Sequence, residues 1–201
     1  MKLLLTFLFL LNFGISNSQN FIKSVIYCAK VRADEKLRFA VGKEILDNHF
    51  QFDESKTLIE IYNEEEDIVE KFNFSDLKKT ECQITQFWLY YKVSDENLVL
   101  TELFFPFNPN CTTPWATKRP KEIIEPYLKV LQNKTEIKLK EALKIGKNNG
   151  LSKIYYWDIA YEKRKLVWTL KSELEKKQSK VIKINSKNGK ILSEFIEIPI
   201  D

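Results

Sequence analysis

Two stretches in the first half of the chain alternate apolar and polar residues, and two that follow are rich in aromatic and β-branched residues. An apolar side chain at every second position predicts a strand with one buried face. Aromatic and β-branched residues are frequent in these stretches and the connections are short, so we predict an antiparallel sheet. The predicted strands are Thr57–Tyr62, Ile68–Phe74, Gln86–Val93 and Leu98–Phe105.

The segment before these strands, Gln19–Asn48, has a weaker pattern. Within it, Val25–Val31 is predicted as a strand because it is rich in β-branched and apolar residues. Lys36–Leu46 fits a strand and a helix equally well.

A proline-rich stretch follows the last of the four strands. Pro106–Pro120 holds four prolines in 15 residues, so we predict irregular structure and a domain boundary there. Glu122–Gln132 is then predicted as a connecting helix, with Pro126 either in its first turn or at a break.

The last third of the chain predicts one helix followed by strands. Asn133 and Glu136 have the spacing of a capping box, and Gly150 suits the left-handed residue that ends a helix. Between them, one helix face carries Leu139, Ala142, Leu143 and Gly146. The predicted strands are Ile154–Tyr161, Leu166–Leu174, Val181–Ile184 and Ile191–Ile198, with a hairpin turn at Asn188-Gly189.

These elements predict an α+β fold. An N-terminal antiparallel β domain is followed by a helix packed on a three- or four-stranded antiparallel sheet. We divide the chain into a targeting segment at 1–18, a β-rich domain at 19–120, a connecting helix at 121–133 and a C-terminal domain at 134–201.

The C-terminal domain resembles the PepSY family. The matching stretches are EALKIGKNNG, KLVWTLKSEL and KVIKINSKNGKIL, which together cover about the last third of the chain. One departure is Asn185, where the family usually has Asp, although an Asn side chain can also cap a turn. The resemblance implies a module that inhibits or modulates a secreted peptidase, and it carries no catalytic residues over.

The N-terminus has the pattern of a secretory signal peptide. Lys2 precedes the apolar run Leu3–Phe13, and the small and polar residues Ser16–Ser18 follow. The run is shorter than the roughly 20 residues needed to span a bilayer. We therefore predict cleavage near Ser18/Gln19, export to the periplasm or the extracellular space, and no transmembrane anchor in the mature chain.

Charge is distributed unevenly along the chain. Residues 134–201 hold 16 basic and 9 acidic residues, a net +7, whereas residues 19–133 hold 15 and 19, a net −4. Most of these lysines alternate with apolar residues, as on ordinary solvated strand faces. Nothing resembles a nucleic-acid motif. The candidate binding surface is Trp115 with the charged turn Lys163, Arg164 and Lys165.

Three cysteines allow at most one intramolecular disulfide in an oxidising compartment. Cys82 and Cys111 flank the same pair of predicted strands, so they are the preferred pair, and the alternative is that all three cysteines are reduced and buried. No CxxC motif or Cys/His metal spacing is present.

The sequence has no pattern that identifies catalysis or a cofactor. His49 is the single histidine, no GxSxG motif occurs, and the five glycines are not clustered. We therefore expect a non-catalytic module that binds or modulates a secreted peptidase or another exported protein. The alternatives are a structural or cell-surface protein and a hydrolase of a new type.

Overall fold

The computed structural model describes residues 2–63, 68–74, 83–113, 120–174 and 178–198. The chain divides into two compact units. The first comprises residues 1–92 and 102–120, and the second comprises residues 93–101 and 121–201. The predicted α+β class is confirmed, with helices and two antiparallel sheets among the described residues.

The helices are α1 Lys2–Val41, α2 Lys43–His49, α3 Pro120–Leu131 and α4 Leu139–Asn148. The strands are β1 Phe50–Phe52, β2 Leu58–Asn63, β3 Ile68–Asn73, β4 Gln83–Asp95, β5 Leu98–Phe107, β6 Ile154–Glu162, β7 Lys165–Glu173, β8 Ser179–Asn185 and β9 Ile191–Glu197. Of the helices within these ranges, none is both long and apolar enough to cross a membrane.

Helix α1 replaces the strand predicted at Val25–Val31, so that prediction is wrong. Its buried residues recur at helical spacing, which buries one continuous stripe. They are Ile22, Val25, Ile26, Ala29, Ala33, Leu37 and Val41. The predicted cleavage point after Ser18 falls inside α1.

The first sheet has the order β1-β4-β2-β3, with β5 also paired to β4. Its central strand β4 buries Phe87, Leu89 and Tyr91. The Tyr91 hydroxyl donates a 2.7 Å hydrogen bond to Asp34 on α1. The helix and the sheet therefore share the core of the first unit.

The prolines between 106 and 120 are less disruptive than predicted. Pro106 lies within β5, which among the described residues pairs with β4 alone. A strand with one partner tolerates a residue that lacks an N–H. Pro120 is the first residue of α3, and Pro126 lies inside that helix. The stretch is therefore bounded by regular structure at both ends.

The second sheet has the order β6-β7-β8-β9 and is antiparallel throughout. The Trp168 side chain on β7 is fully buried, and its indole N–H donates to the Ile137 carbonyl at 2.9 Å. A methyl group built on Gly146 of α4 would lie 2.7 Å from Leu170 Cδ1. Helix α4 therefore packs directly on β7, as the sequence predicted.

The start of α4 differs from the predicted capping box. The helix begins at Leu139, its N-cap is Lys138, and no side chain caps it. Asn133 instead adopts a positive φ of 53° in the connection after α3. Asn133 and Glu136 have the spacing of a capping box, but the chain turns at Asn133 and the helix begins only at Leu139.

The end of α4 confirms the predicted role of Gly150. This residue has φ +89°, which is a conformation that favours glycine. Its N–H binds the Lys147 carbonyl, and the Leu151 N–H binds the Gly146 carbonyl, both at 3.1 Å. That pair of bonds is a Schellman motif.

The turn between β8 and β9 is longer than the predicted two-residue hairpin. It spans residues 186–190, and only Gly189 in it has a positive φ, at 70°. The Asn185 side chain accepts a 2.9 Å hydrogen bond from the Lys187 N–H. The capping role predicted for Asn185 is therefore confirmed.

Candidate functional site

The exposed part of the second sheet carries a cluster of aromatic rings around a lysine. Tyr155 and Tyr156 of β6 are 58% and 42% exposed. Tyr156 lies opposite Lys171 of β7 in the strand register. The Lys171 Nζ lies 5.4 Å from the centroid of the Tyr156 ring, which is cation–π range. We call Tyr155, Tyr156 and Lys171 the tyrosine–lysine surface.

Side-chain hydrogen bonds orient this surface. Lys171 Nζ donates to Glu197 Oε2 at 2.5 Å, and this hydrogen bond raises the pKa of Lys171 against the opposing effect of its partial burial. The Tyr155 and Ser179 hydroxyls lie 2.7 Å apart. The lysine is therefore charged at neutral pH, and the polar ends of two of the three side chains are held in place.

An irregularity in β6 explains why two neighbouring tyrosines are both exposed. Strand alternation places adjacent side chains on opposite faces, but the register of β6 against β7 shifts between Ile154 and Tyr156. The extra residue at this bulge is Tyr155, and its hydroxyl reaches Ser179, two strands away in the sheet order. The bulge thus turns the Tyr155 side chain so that it is exposed next to Tyr156.

The same row of the sheet continues to a third exposed ring. In register, Lys171 is opposite Val181, and Val181 is opposite Phe195 of β9. Val181 is 1% exposed, whereas Phe195 is 43% exposed. Aromatic side chains with a polar end are enriched where proteins bind one another.

Two tyrosine hydroxyls near this surface have raised pKa values. The pKa of Tyr156 is raised by burial and by the Asp158 carboxylate. The pKa of Tyr127 is raised by burial and by the hydrogen bond that its hydroxyl donates to Asp158 at 2.5 Å. Both phenols are therefore neutral hydrogen-bond donors at physiological pH and not activated bases.

No metal centre is found among the described residues, because no group of three or more His, Cys, Asp and Glu side chains comes together there. His49 ends α2.

The predicted charged turn joins β6 and β7, at the end of the strands away from Tyr155 and Tyr156. Lys163, Arg164 and Lys165 are all exposed, and none forms an ion pair with another described residue. Lys163 and Arg164 have φ values of 47° and 67°. These values match a two-residue hairpin turn with left-handed residues at both central positions. The structure therefore separates this turn from the tyrosine–lysine surface.

The disulfide prediction is corrected, because Cys111 is paired with Cys28 rather than Cys82. The two Cα atoms are 6.1 Å apart, within the range of a disulfide. The Cys111 Sγ also contacts the Val25 carbonyl at 3.7 Å, and Lys36 donates to Thr113 at 3.0 Å. The turn after β5 lies against α1, which brings the two cysteines together. Cys82 and Trp115 lie outside the described residues.

The tyrosine–lysine surface was not among the sequence predictions. Alternation along the predicted strand Ile154–Tyr161 would place Tyr155, Trp157, Ile159 and Tyr161 on one side, but only Ile159 of these four is buried and Tyr161 is 47% exposed. Two tyrosines in succession in a strand cannot both follow a two-residue alternation. That doublet was the available signal for a bulge.

Comparisons with known proteins identify no family for this chain. No family model matches it, and no curated protein matches it. A crystal structure of a protein described as a putative lipoprotein from Clostridium difficile 630 aligns with 75% of this chain and 85% of its own chain. Its sequence identity is 10% and its TM-score is 0.34, a similarity too low to carry an argument about fold or function.

Proposed function

We propose that this chain is an exported, non-catalytic binding protein. Its PepSY-like C-terminal module would use the tyrosine–lysine surface to bind another exported protein, and a secreted peptidase is the first candidate. The observation that carries this proposal is the exposure of Tyr155, Tyr156 and Phe195 around Lys171. A purely structural protein has no need to keep three aromatic rings exposed to solvent on one sheet.

Two features support export. The segment at residues 1–18 has the charge and length pattern of a signal peptide. The Cys28–Cys111 disulfide in the first unit requires an oxidising compartment to persist. The two features are independent, because the first concerns targeting of the chain and the second concerns the redox state of the compartment.

The arrangement favours protein binding over hydrolysis. Lys171 is held by Glu197 in an ion pair, and the tyrosine pKa values near it are raised rather than lowered. A nucleophile or base needs the opposite shift or a paired activating group. A lysine beside tyrosine rings instead resembles the centre of a protein interface, where Tyr is enriched.

The proposal is tested by measuring partner binding and peptidase activity with the purified mature chain. Peptidases from the exported fraction of the source organism are assayed one at a time with and without the chain. We expect at least one peptidase to bind and to change its rate of peptide hydrolysis. If none binds and none changes its rate, the peptidase assignment is wrong.

A matched pair of variants then locates the surface. The double substitution Tyr155→Ala and Tyr156→Ala should weaken the affinity by about tenfold or more, corresponding to about 1.4 kcal/mol. Tyr161→Ala removes a comparably exposed tyrosine from the other end of the same strand and should leave the affinity unchanged. Equal affinities for all three proteins would show that the partner binds elsewhere.

A further inference from the structure

Strand β9 leaves an unusually apolar edge on the second sheet. It is the last strand in the order β6-β7-β8-β9, and among the described residues it is paired with β8 alone. Its edge presents Leu192, Phe195, Ile196 and the following Ile198, with exposed fractions of 41%, 43%, 57% and 65%. An exposed apolar edge strand is a ready template for pairing with another strand.

The usual protections of an edge strand are missing from β9. The sequence ILSEFIE contains no Lys and no Pro, which are the residues that most often block edge pairing. Its two acids also have lysine partners within the sheet. Glu194 is paired with Lys180 at 2.7 Å, and Glu197 is paired with Lys171 at 2.5 Å. Among the described residues, both acids of this strand are therefore partly compensated in charge.

We propose that β9 pairs antiparallel with β9 of a second copy of this chain, with the twofold axis at Phe195. The two four-stranded sheets would then form one continuous eight-stranded sheet. This inference does not rest on the proposed function, because it is argued from the pairing of β9 and not from Tyr155, Tyr156 and Lys171, although Phe195 contributes to both surfaces.

The side chains of β9 are compatible with pairing to a second copy of the same strand, and they favour one register. A twofold axis at Phe195 places this ring opposite Phe195 of the partner subunit. Glu194 then faces Ile196 of the partner subunit, Ser193 faces Glu197 of the partner subunit, and Leu192 faces Ile198 of the partner subunit. No like charges lie directly opposite each other. An axis one residue earlier would place two Glu194 carboxylates opposite each other, which is destabilising, and an axis one residue later would shorten the paired stretch to residues 194–198. The register centred on Phe195 therefore pairs all of residues 192–198 without placing like charges opposite each other.

The size of the contact predicts a weak dimer. A stable interface buries about 800 Å² on each partner, and a single short strand contributes less than this. The association should therefore depend on protein concentration and be in the micromolar range or weaker.

The test is sedimentation velocity of the intact mature chain over a wide concentration range. We expect the wild-type chain to move from monomer to dimer as concentration rises, with no larger species, because twofold pairing closes the assembly. A chain that stays monomeric up to about 1 mM, corresponding to only about 4 kcal/mol of association free energy, would overturn the proposal. The edge of β9 would then not pair with a second copy of the chain.

Two charge variants test the register. Phe195→Lys and Phe195→Glu each place like charges opposite each other, and each should weaken the dimer about tenfold or more. An equimolar mixture should restore it, because Lys then faces Glu across the axis. Dimers that resist both substitutions, or a mixture that stays monomeric, would overturn the pairing. Far-UV circular dichroism checks that both variants fold, as expected for a 43% exposed side chain.

A third variant separates strand pairing from nonspecific apolar association. Ile196 is more exposed than Phe195, so Ile196→Lys would weaken any association driven by apolar surface alone. In the proposed register, the new lysine faces Glu194 of the partner subunit, and the dimer should be retained. Loss of the dimer in this variant together with its persistence in Phe195→Lys would contradict the register.

Discussion

Opening the Cys28–Cys111 disulfide is expected to lower the free energy of unfolding by several kcal/mol. The bond joins residues 83 positions apart. In the chain-entropy model, a cross-link closing a loop of that length destabilises the unfolded chain by about 4.5 kcal/mol at 25 °C. Domains of this kind have total stabilities of about 5–15 kcal/mol. Loss of this single bond could therefore remove much of the stability of the first unit.

Urea unfolding of Cys28→Ser beside the matched variant Cys82→Ser measures this effect. Cys28→Ser should lose about 4 kcal/mol, whereas Cys82→Ser should lose none of the cross-link contribution. The shorter loop of a Cys82–Cys111 bond would contribute about 3.6 kcal/mol, too similar for stability alone to identify the bond. Peptide mapping without reductant makes the assignment. A linked Cys82–Cys111 peptide, or an equal loss in Cys82→Ser, would refute the pairing.

Two further changes test the packing of each unit. Gly146→Ala should lower the free energy of urea unfolding by about 1 kcal/mol. Its methyl would lie 2.7 Å from Leu170 Cδ1 inside the core, and overpacking of 1–3 kcal/mol outweighs the helix-propensity gain of about 1 kcal/mol; a rise in stability would contradict this. In the first unit, burial and the hydrogen bond to Asp34 raise the pKa of Tyr91. The folded state therefore keeps a proton that the unfolded state loses above about pH 10, so stability should fall there by about 1.4 kcal/mol per pH unit. Tyr91→Phe should make the fall shallower in urea unfolding between about pH 9 and 11, and an unchanged slope would contradict the assignment.

The strands and turns of the C-terminal half were predictable from local patterns. All four predicted strands between 154 and 198 are present within a few residues of their predicted bounds. Gly150 and Asn185 make the predicted local contacts at a helix end and a turn. Alternation, helix ends and turn chemistry depend on neighbours within about five residues, so a sequence contains that information directly.

Helix α1 was missed although its pattern was present. Val25–Val31 was interpreted from residue type, and β-branched residues favour strands only weakly against packing. Val25, Ile26, Ala29 and Ala33 have helical spacing, and all four are buried. Counting the spacing over a longer window would have predicted the helix.

The candidate site was not predictable in the same way. The exposure of Tyr155 and Tyr156 depends on a register shift against β7, and a register belongs to two strands rather than one. The partner of Cys111 depends on where α1 lies in the first unit. Neither quantity is a property of one segment of the chain.

The fold class, most strand positions and the turn residues follow from local sequence patterns. The pairing of the cysteines, the exposure of individual tyrosines and the identity of the edge strand follow from the folded arrangement. The two groups differ in the range of the interactions that set them. Secondary structure follows from periodic burial along the chain, whereas a surface such as Tyr155, Tyr156 and Lys171 forms only when two separate strands pair in one particular register.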